Sequence, residues 1–220
     1  SQYTQLIARR VREIGVFSVV LPCDVDTDKI QSFNPRGIIL SGGPETVTKA
    51  NTPKINKALF DFNTPLLGIC YGMQTMAQEL GGMVVSSDKR EFGHANIKQV
   101  EHSVLFDGVH LTSDSLDVWM SHGDKVSKLP DNFTTIAKSD NCSIAGFQNK
   151  EKSWFGLQFH PEVTHTDQGS TILSNFVYTV CKCEKNWETS DIIESMVTAV
   201  KDQVGNDKVL LGLSGGVDSS

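Results

Sequence analysis

The stretch Leu66-Leu67-Gly68-Ile69-Cys70-Tyr71-Gly72 decides the fold of this chain. Its first four residues form a short apolar run that is typical of a buried strand. Residues 73–80 then place apolar side chains at helical spacing, and Gly81-Gly82 supplies a stop. The Gly-x-Cys-x-Gly spacing predicts a nucleophile elbow, a sharp turn from strand to helix that carries a reactive side chain. Glycines are needed beside such a turn because larger side chains would collide with the neighbouring strand or helix.

Cys70 is therefore a candidate nucleophile. The elbow places its sulfur at a helix N-terminus, where free backbone N–H groups and the helix dipole favour the thiolate form of a cysteine. A buried core cysteine is the alternative, since cysteine is among the most buried residue types. The strand, turn and helix around Cys70 favour the nucleophile.

A candidate proton-transfer partner follows a second strand signal. Residues 154–160 alternate, with three apolar side chains on one face and His160 on the other, and Pro161 ends the pattern. A histidine at a strand end can take and return a thiol proton, and Glu162 can hold its ring in the useful tautomer. Alone, the triplet His160-Pro161-Glu162 would more often be a solvated strand terminus. Its pairing with the elbow favours catalysis.

A glycine-rich turn, Ser41-Gly42-Gly43-Pro44, follows the strand predicted at Gly37–Leu40. Backbone without side chains can approach a substrate closely and aim N–H groups at a developing oxyanion, together with the N–H of Tyr71. A plain Gly-Pro turn is the alternative.

Short apolar runs alternate with helical patterns over the first two thirds of the chain. This predicts the α/β class, with a mostly parallel central sheet flanked by helices. Between Met83 and Ile144 the helical period disappears, and segments rich in Val, Phe and Thr predict a small antiparallel excursion. The further predicted elements are a helix through Leu6–Ile14, a strand at Val16–Leu21, a helix at Ile55–Phe60 and a closing helix at Ile172–Val180.

Bulk composition excludes several classes of function. The 220 residues carry a net charge of −6 and no Lys/Arg-rich stretch, so nucleic acid and anionic membranes are not expected partners. The first residues lack the apolar core of a signal peptide, and no apolar run is long enough to span a bilayer. The five cysteines include no CxxC pair, which suits free thiols in a reducing compartment. A cytoplasmic protein is expected. His94, His102 and His110 share no helix face, so no metal site is predicted in this domain.

Three features together resemble the class I (triad) glutamine amidotransferases: the elbow at Cys70, the strand end at His160 and the glycine-rich turn at 41–44. The matching motifs are Gly68–Gln74, Ser121-His122-Gly123-Asp124 and Phe159–Val163. In that family a cysteine attacks the glutamine side-chain amide, a histidine protonates the departing ammonia, and water hydrolyses the thioester. The resemblance implies a triad of Cys70, His160 and Glu162, an oxyanion hole with Gly43 and Tyr71, and glutamine contacts from Gln74, Ser121 and Gly123.

The end of the chain resembles the PP-loop of ATP pyrophosphatases. A buried-strand signal at Val209–Leu213 leads into a Ser-Gly-Gly-x-Asp-Ser sequence, which in that family cradles pyrophosphate on backbone N–H groups. A Walker A loop is excluded because no Gly-Lys-Ser/Thr is present, and a flexible Ser/Gly-rich end is the alternative. The implied ATP-binding residues are Ser214, Gly215, Gly216, Val217, Asp218, Ser219 and Ser220.

The predicted domains follow from these motifs. We expect an amidotransferase domain at 1–183, a linker and helix at 184–207, where Asp191 and Glu194 have capping-box spacing, and the start of an α/β ATP pyrophosphatase domain at 208–220. By resemblance, a first strand is missing before Ser1, and the second domain is truncated.

An amidotransferase followed by a PP-loop resembles the glutamine-hydrolysing GMP synthases. In that family the second domain adenylates xanthosine monophosphate (XMP) with MgATP, and ammonia displaces AMP to give GMP. The resemblance implies glutamine, XMP and ATP with Mg²⁺ as substrates, no prosthetic group, and a homodimer formed through a C-terminal part missing here. This chain alone is then expected to carry only the glutaminase half-reaction.

Two alternatives stay open. The chain could be a glutaminase subunit serving a different acceptor, as in the anthranilate or carbamoyl phosphate systems, although such subunits end near the closing helix. It could also be a pseudoenzyme that binds glutamine without turnover. The presence of Cys70, His160 and Glu162 together argues against a pseudoenzyme.

Overall fold

The computed structural model describes residues 2–49, 52–112, 114–187, 197–198, 200–205 and 207. The chain divides into two compact units, Ser1–Asn186 and Trp187–Ser220. In the second unit, residues 200–204 are helical. The predicted PP-loop at 214–220, the strand before it and the start of the helix at Asp191 lie outside the described residues, so they stay predictions.

In the described part of the first unit, seven strands form one mixed sheet in the spatial order β1-β2-β7-β6-β5-β3-β4. The strands are β1 (Ile38–Leu40), β2 (Leu66–Ile69), β3 (Met83–Gln99), β4 (Leu116–Lys128), β5 (Thr134–Lys138), β6 (Gly146–Asn149) and β7 (Trp154–Leu157). Strands β1, β2 and β7 are parallel to one another, and the remaining pairings are antiparallel. The α/β class and the predicted strand β2 are confirmed. The antiparallel part is larger than the small excursion predicted, because β3 and β4 form a long hairpin.

Four α-helices flank this sheet in the described residues: α1 (Gln2–Glu13), α2 (Thr27–Phe33), α3 (Tyr71–Glu79) and α4 (Gly169–Ser174). A wider π-helical segment at Asn175–Val180 continues α4, so the predicted closing helix is confirmed. The predicted helix at Ile55–Phe60 is only a 3₁₀ turn, Lys57–Asp61, capped by the Asn56 side chain. A further 3₁₀ turn covers Val104–Phe106.

The strand predicted at Val16–Leu21 is wrong. This apolar segment carries no strand assignment, and it lines a cavity of about 560 Å³ together with residues of α1 and β1. A strand exists only where a neighbour accepts its ladder of hydrogen bonds. The cavity separates the segment from β1, so its β-type composition finds no partner there.

The core lies on both faces of the sheet. Leu67 belongs to a buried cluster that includes Ile7 of α1 and Ile172 of α4. Leu66 belongs to a second cluster with Met73 of α3. Because successive side chains of a strand point to opposite faces, the uninterrupted apolar run of β2 fits a strand covered by helices on both sides.

The elbow glycines are required by close backbone contacts. A Cβ atom on Gly68 would lie 2.7 Å from the backbone N and Cα of Met73, and one on Gly72 would lie 2.1 Å from the carbonyl oxygen of Leu40. Real Cβ atoms do not approach backbone this closely, so a larger residue at either position would push α3 away from the sheet.

We expect Gly72→Ala to destabilise the chain by about 3 kcal/mol, the upper range for overpacking, because the Leu40 carbonyl cannot move without disturbing β1. Thermal unfolding should then begin roughly 6–12 °C lower. Gly43→Ala is the matched control, since its Cβ would meet Tyr71 only at ordinary contact distances of 3.8–3.9 Å. Equal melting temperatures for the two variants would contradict this account of the elbow.

Candidate active site

The carboxyl ends of the three parallel strands meet at one edge of the sheet. Ile69, the last residue of β2, pairs in register with Leu157, the last residue of β7. Strand β2 therefore runs into Cys70 where β7 runs into residues 158–160, while β1 delivers the glycine-rich turn at 41–44 beside them. In open α/β sheets this edge is where ligands bind.

Cys70 sits on a strained turn. Its backbone has φ 52° and ψ −108°, and it is the N-cap residue of α3. A non-glycine residue held at positive φ is uncommon and, where the surrounding structure enforces it, often marks a functional position. Its sulfur lies 3.5 Å from the Ser121 carbonyl oxygen, to which the thiol can donate. The side chain is almost fully buried at 4% exposure.

His160 lies beside Cys70 and is backed by Glu162. A Cβ atom built on Gly42 would lie 2.9 Å from the His160 ring and 3.6 Å from Cβ of Cys70, so both side chains border the same glycine. The His160 Nδ1 hydrogen-bonds to Oε1 of Glu162 at 2.7 Å, and both residues are 1% exposed. The carboxylate accepts this bond, which fixes the proton on Nδ1 of the neutral ring and leaves Nε2 able to take a proton. Nε2 has no hydrogen-bond partner among the described residues.

The surroundings of His160 favour its charged form. Burial of the ring lowers its pKa, but the neighbouring Cys70 sulfur and then the Glu162 carboxylate raise it more, to about 10. Two groups that can carry negative charge flank one buried imidazole, so the site favours the imidazolium form of His160.

Several contacts hold the histidine in place. Its backbone N–H donates to the Trp119 carbonyl at 3.0 Å, and its carbonyl accepts from the Thr166 hydroxyl at 2.6 Å. Tyr3 of α1 stacks on the ring with centroids 4.5 Å apart. Arg10, also on α1, donates to the Glu162 carbonyl at 3.0 Å. The histidine is therefore fixed from β4, from the loop after β7 and from α1.

The predicted oxyanion residues lie together at the same edge. Tyr71 is the first residue of α3, and the Tyr71 side chain is the nearest group that a Cβ atom on Gly43 would meet. Gly42 approaches Cys70 and His160 most closely, a position that a side chain could not share. The assignment of the oxyanion role to Gly43 and Tyr71 stays a prediction.

The predicted glutamine-binding residues lie on β4 and α3, and Ser121 among them contacts the sulfur. Ser121 and Gly123 lie on β4, and the Ser121 carbonyl contacts Cys70. Gln74 is 3% exposed, and its side-chain N–H groups donate to the Asp124 carbonyl at 2.8 Å and to Gln158 Oε1 at 3.2 Å. Both amide hydrogens are thus used inside the protein, so a bound substrate could use only the Gln74 carbonyl oxygen.

Gln158 and Asp124 are site residues that the sequence analysis did not select. Gln158 is fully buried, and its amide N–H donates to the Cys70 sulfur at 3.7 Å. One signal could have found it: in the alternating segment 154–160, Gln158 shares the face of His160. Asp124 belongs to the motif at 121–124, but the motif assigns no role to its carbonyl.

A second buried polar cluster lies near β4. Potential metal-ligand atoms of Glu91, His122 and Cys142 are within 4.8 Å of one another. His122 bonds to Glu91 at 3.0 Å, and the Cys142 thiol donates to the Ile144 carbonyl at 3.3 Å. Burial raises the pKa of Cys142 to about 11, which disfavours the thiolate that a metal would need. We interpret the cluster as a hydrogen-bonded network, and the predicted absence of a metal site stays a prediction.

For the glutamine hydrolysis that the resemblance implies, we expect Glu162→Gln to lower kcat about a hundredfold, within the usual contribution of acid–base catalysis. The carboxylate is one of the groups that raise the pKa of His160. Without it the imidazolium loses its proton at lower pH, so the alkaline limb of the kcat/KM profile should move to lower pH. Glu151→Gln, at an exposed site, is the control. An unshifted alkaline limb in Glu162→Gln would contradict this role.

Among the described residues, none of the helices is both long and apolar enough to span a membrane.

Sequence comparison matches residues 1–180 to the family described as glutamine amidotransferase class-I. GMP synthase (glutamine-hydrolyzing) from Pseudomonas putida strain W619 is 58% identical across 100% of this chain, which corresponds to 43% of that protein. The same enzyme from Vibrio cholerae strain O395 is 56% identical across 100% of this chain and 42% of its own.

A solved structure also matches. It is that of a candidate GMP synthase subunit from Thermoplasma acidophilum, which aligns with a TM-score of 0.70 at 30% identity and covers 89% of this chain and 93% of its own. The P. putida and V. cholerae enzymes are more than twice as long as the part that matches, so this chain spans less than half the length of these curated relatives.

Proposed function

The chain belongs to the class-I glutamine amidotransferase family, and from that premise we propose that it is the glutamine-hydrolysing part of a GMP synthase. The observation that carries the proposal is the buried constellation at the sheet edge, in which His160 borders Cys70 and is bonded to Glu162 at 2.7 Å. A set of this kind, held on a strained elbow, suits acyl transfer through a cysteine.

In the proposed reaction the Cys70 thiolate attacks the side-chain amide carbon of glutamine. The carbonyl oxygen becomes negative in the tetrahedral intermediate, where the backbone N–H groups of Gly43 and Tyr71 stabilise it. His160 gives its Nε2 proton to the departing ammonia and then takes a proton from the water that hydrolyses the thioester. Glu162 holds the ring in orientation throughout. Glutamine is thereby converted to glutamate and ammonia, and the cysteine is regenerated.

The acceptor of the ammonia is proposed from the relatives and from the end of the sequence. Relatives at 56–58% identity carry the name GMP synthase (glutamine-hydrolyzing). The Ser-Gly-Gly-Val-Asp-Ser-Ser sequence at 214–220 suits an ATP site, with Asp218 near magnesium and phosphates. We propose that the full-length protein adenylates XMP with MgATP and aminates it, without a prosthetic group, as a cytoplasmic homodimer without nucleic-acid or membrane partners.

Two alternatives are less well supported. A glutaminase subunit serving another acceptor would have no use for a PP-loop sequence after the closing helix. A sensor without turnover would not need a proton acceptor beside its cysteine, whereas His160 Nε2 lies without a hydrogen-bond partner among the described residues. Measurement of ammonia release separates the sensor from both enzymes.

The test incubates the full-length protein with glutamine, MgATP and XMP, and follows glutamate, AMP, pyrophosphate and GMP. We expect pyrophosphate only when XMP is present, and a faster release of glutamate when both nucleotides are bound. Asp218→Asn should impair pyrophosphate release far more than basal glutamine hydrolysis. The appearance of ADP and phosphate, or indifference to XMP, would remove the GMP synthase proposal while leaving the glutaminase intact.

A further inference from the structure

A buried side-chain amide contacts the sulfur of the candidate nucleophile. Gln158 is 0% exposed, and its Nε2 donates to Cys70 Sγ at 3.7 Å. Its backbone N–H is bonded separately, to the Ala145 carbonyl at 2.9 Å. The sheet hydrogen bond is thus made by the backbone, and the side-chain N–H can donate to the sulfur.

The orientation of this amide is fixed by its neighbour. Gln158 Oε1 accepts from Gln74 Nε2 at 3.2 Å, and the same Gln74 nitrogen donates to the Asp124 carbonyl at 2.8 Å. A reversed Gln158 amide would set N–H against N–H at Gln74 and an oxygen against the sulfur. The contact at Gln74 would be repulsive, and an oxygen could not donate to a thiolate, so only the observed orientation satisfies Gln74 and offers the sulfur an N–H.

The network continues away from the sulfur through His122 to Glu91. The Asp124 carbonyl also accepts from His122 Nδ1 at 2.9 Å, and His122 Nε2 bonds to Glu91 at 3.0 Å. His122 and Glu91 are 4% and 9% exposed. A continuous line of buried hydrogen bonds thus runs from Glu91 to Cys70, and satisfied buried networks of this kind hold their members in one arrangement.

From these contacts we infer that Gln158 is a further catalytic residue, whose side-chain N–H stabilises the thiolate form of Cys70. As a thiol, Cys70 can donate to the Ser121 carbonyl at 3.5 Å. Once the proton leaves, that carbonyl offers no donor, and the buried sulfur needs N–H groups instead. Gln158 supplies one from beside the sulfur, while His160, bonded to Glu162, supplies the positive charge. The inference rests on the proposed glutaminase reaction, in which the thiolate attacks.

The test measures thiolate formation without glutamine. The rate at which chloroacetamide alkylates Cys70 is followed over a range of pH by mass spectrometry of the Cys70 peptide. In Gln158→Met, which keeps the length but removes the donor, we expect a rate at neutral pH about tenfold lower and a profile midpoint about one pH unit higher, the usual worth of one hydrogen bond to a charge. Gln148→Met is the matched control, since Gln148 is 2% exposed and donates to the His102 carbonyl instead.

A second variant covers the case in which Gln158→Met does not fold. Gln158→Asn keeps the amide but shortens the side chain by one methylene group, which withdraws the N–H from the sulfur, and the same upward shift is expected. Wild-type alkylation profiles in folded variants would overturn the inference, whether or not the protein hydrolyses glutamine. A shifted profile in a protein that releases no ammonia would instead remove the proposed function and leave the sulfur contact standing.

Discussion

Cys70→Ala should lower glutamine hydrolysis at least about ten-thousandfold, because loss of the nucleophile removes the covalent route and leaves only binding and the oxyanion contacts. In the full-length protein, synthesis of GMP from added ammonia should survive, since that route bypasses the thioester. The measurement is glutamate release and GMP formation with glutamine or ammonium chloride as the nitrogen source.

Cys23→Ala is the matched control, because Cys23 is an exposed cysteine and Cys70 a buried one at the elbow. It should hydrolyse glutamine at the wild-type rate. If Cys70→Ala retained glutaminase activity comparable to that of Cys23→Ala, the nucleophile would have to be sought elsewhere.

His160→Asn should lower kcat about a thousandfold, the usual cost of removing the base from such a pair. The thiolate loses its positively charged neighbour, and the departing ammonia loses its proton donor. The buried Glu162 also loses its hydrogen-bond partner at Nδ1. Because both half-steps need the imidazole, kcat should fall far more than KM changes.

The control for His160→Asn is His102→Asn, because His102 is exposed and its ring pairs with Asp107 at the surface. Pre-steady-state measurement adds a sharper criterion. Rapid thioester formation in His160→Asn at the wild-type rate would show that Cys70 is activated without this histidine.

The parallel part of the fold could be predicted because its signals are local. Strand β2 is visible in the sequence as an apolar run, and helix α3 as a helical spacing of apolar residues after the Gly-x-Cys-x-Gly turn. The backbone at Cys70, with φ 52°, is the strained turn which that spacing requires. The candidate triad residues could be selected because they lie near strand ends: Cys70 directly follows β2, and His160 and Glu162 come shortly after β7.

Other features depend on neighbours that a single segment does not reveal. Val16–Leu21 has strand composition, yet an apolar cavity lies along it where a pairing strand would be needed. The extent of the β3–β4 hairpin is set by pairing between segments distant in sequence, from Ile97 with Leu116 to Met83 with Lys128. The position of Gln158 against the Cys70 sulfur likewise depends on Gln74 and Asp124, from α3 and β4.

The most direct test of the central claim is covalent labelling of the site. A glutamine-analogue electrophile should modify the protein with a stoichiometry of one, on the peptide that carries Cys70, and excess glutamine should protect it. The exposed Cys23 should remain unlabelled because it lacks the glutamine-binding surroundings. Peptide mapping by mass spectrometry gives the answer. Modification at Cys70 that glutamine blocks is the predicted result, and labelling spread over other cysteines, or unaffected by glutamine, would contradict the assignment of Cys70 as the nucleophile.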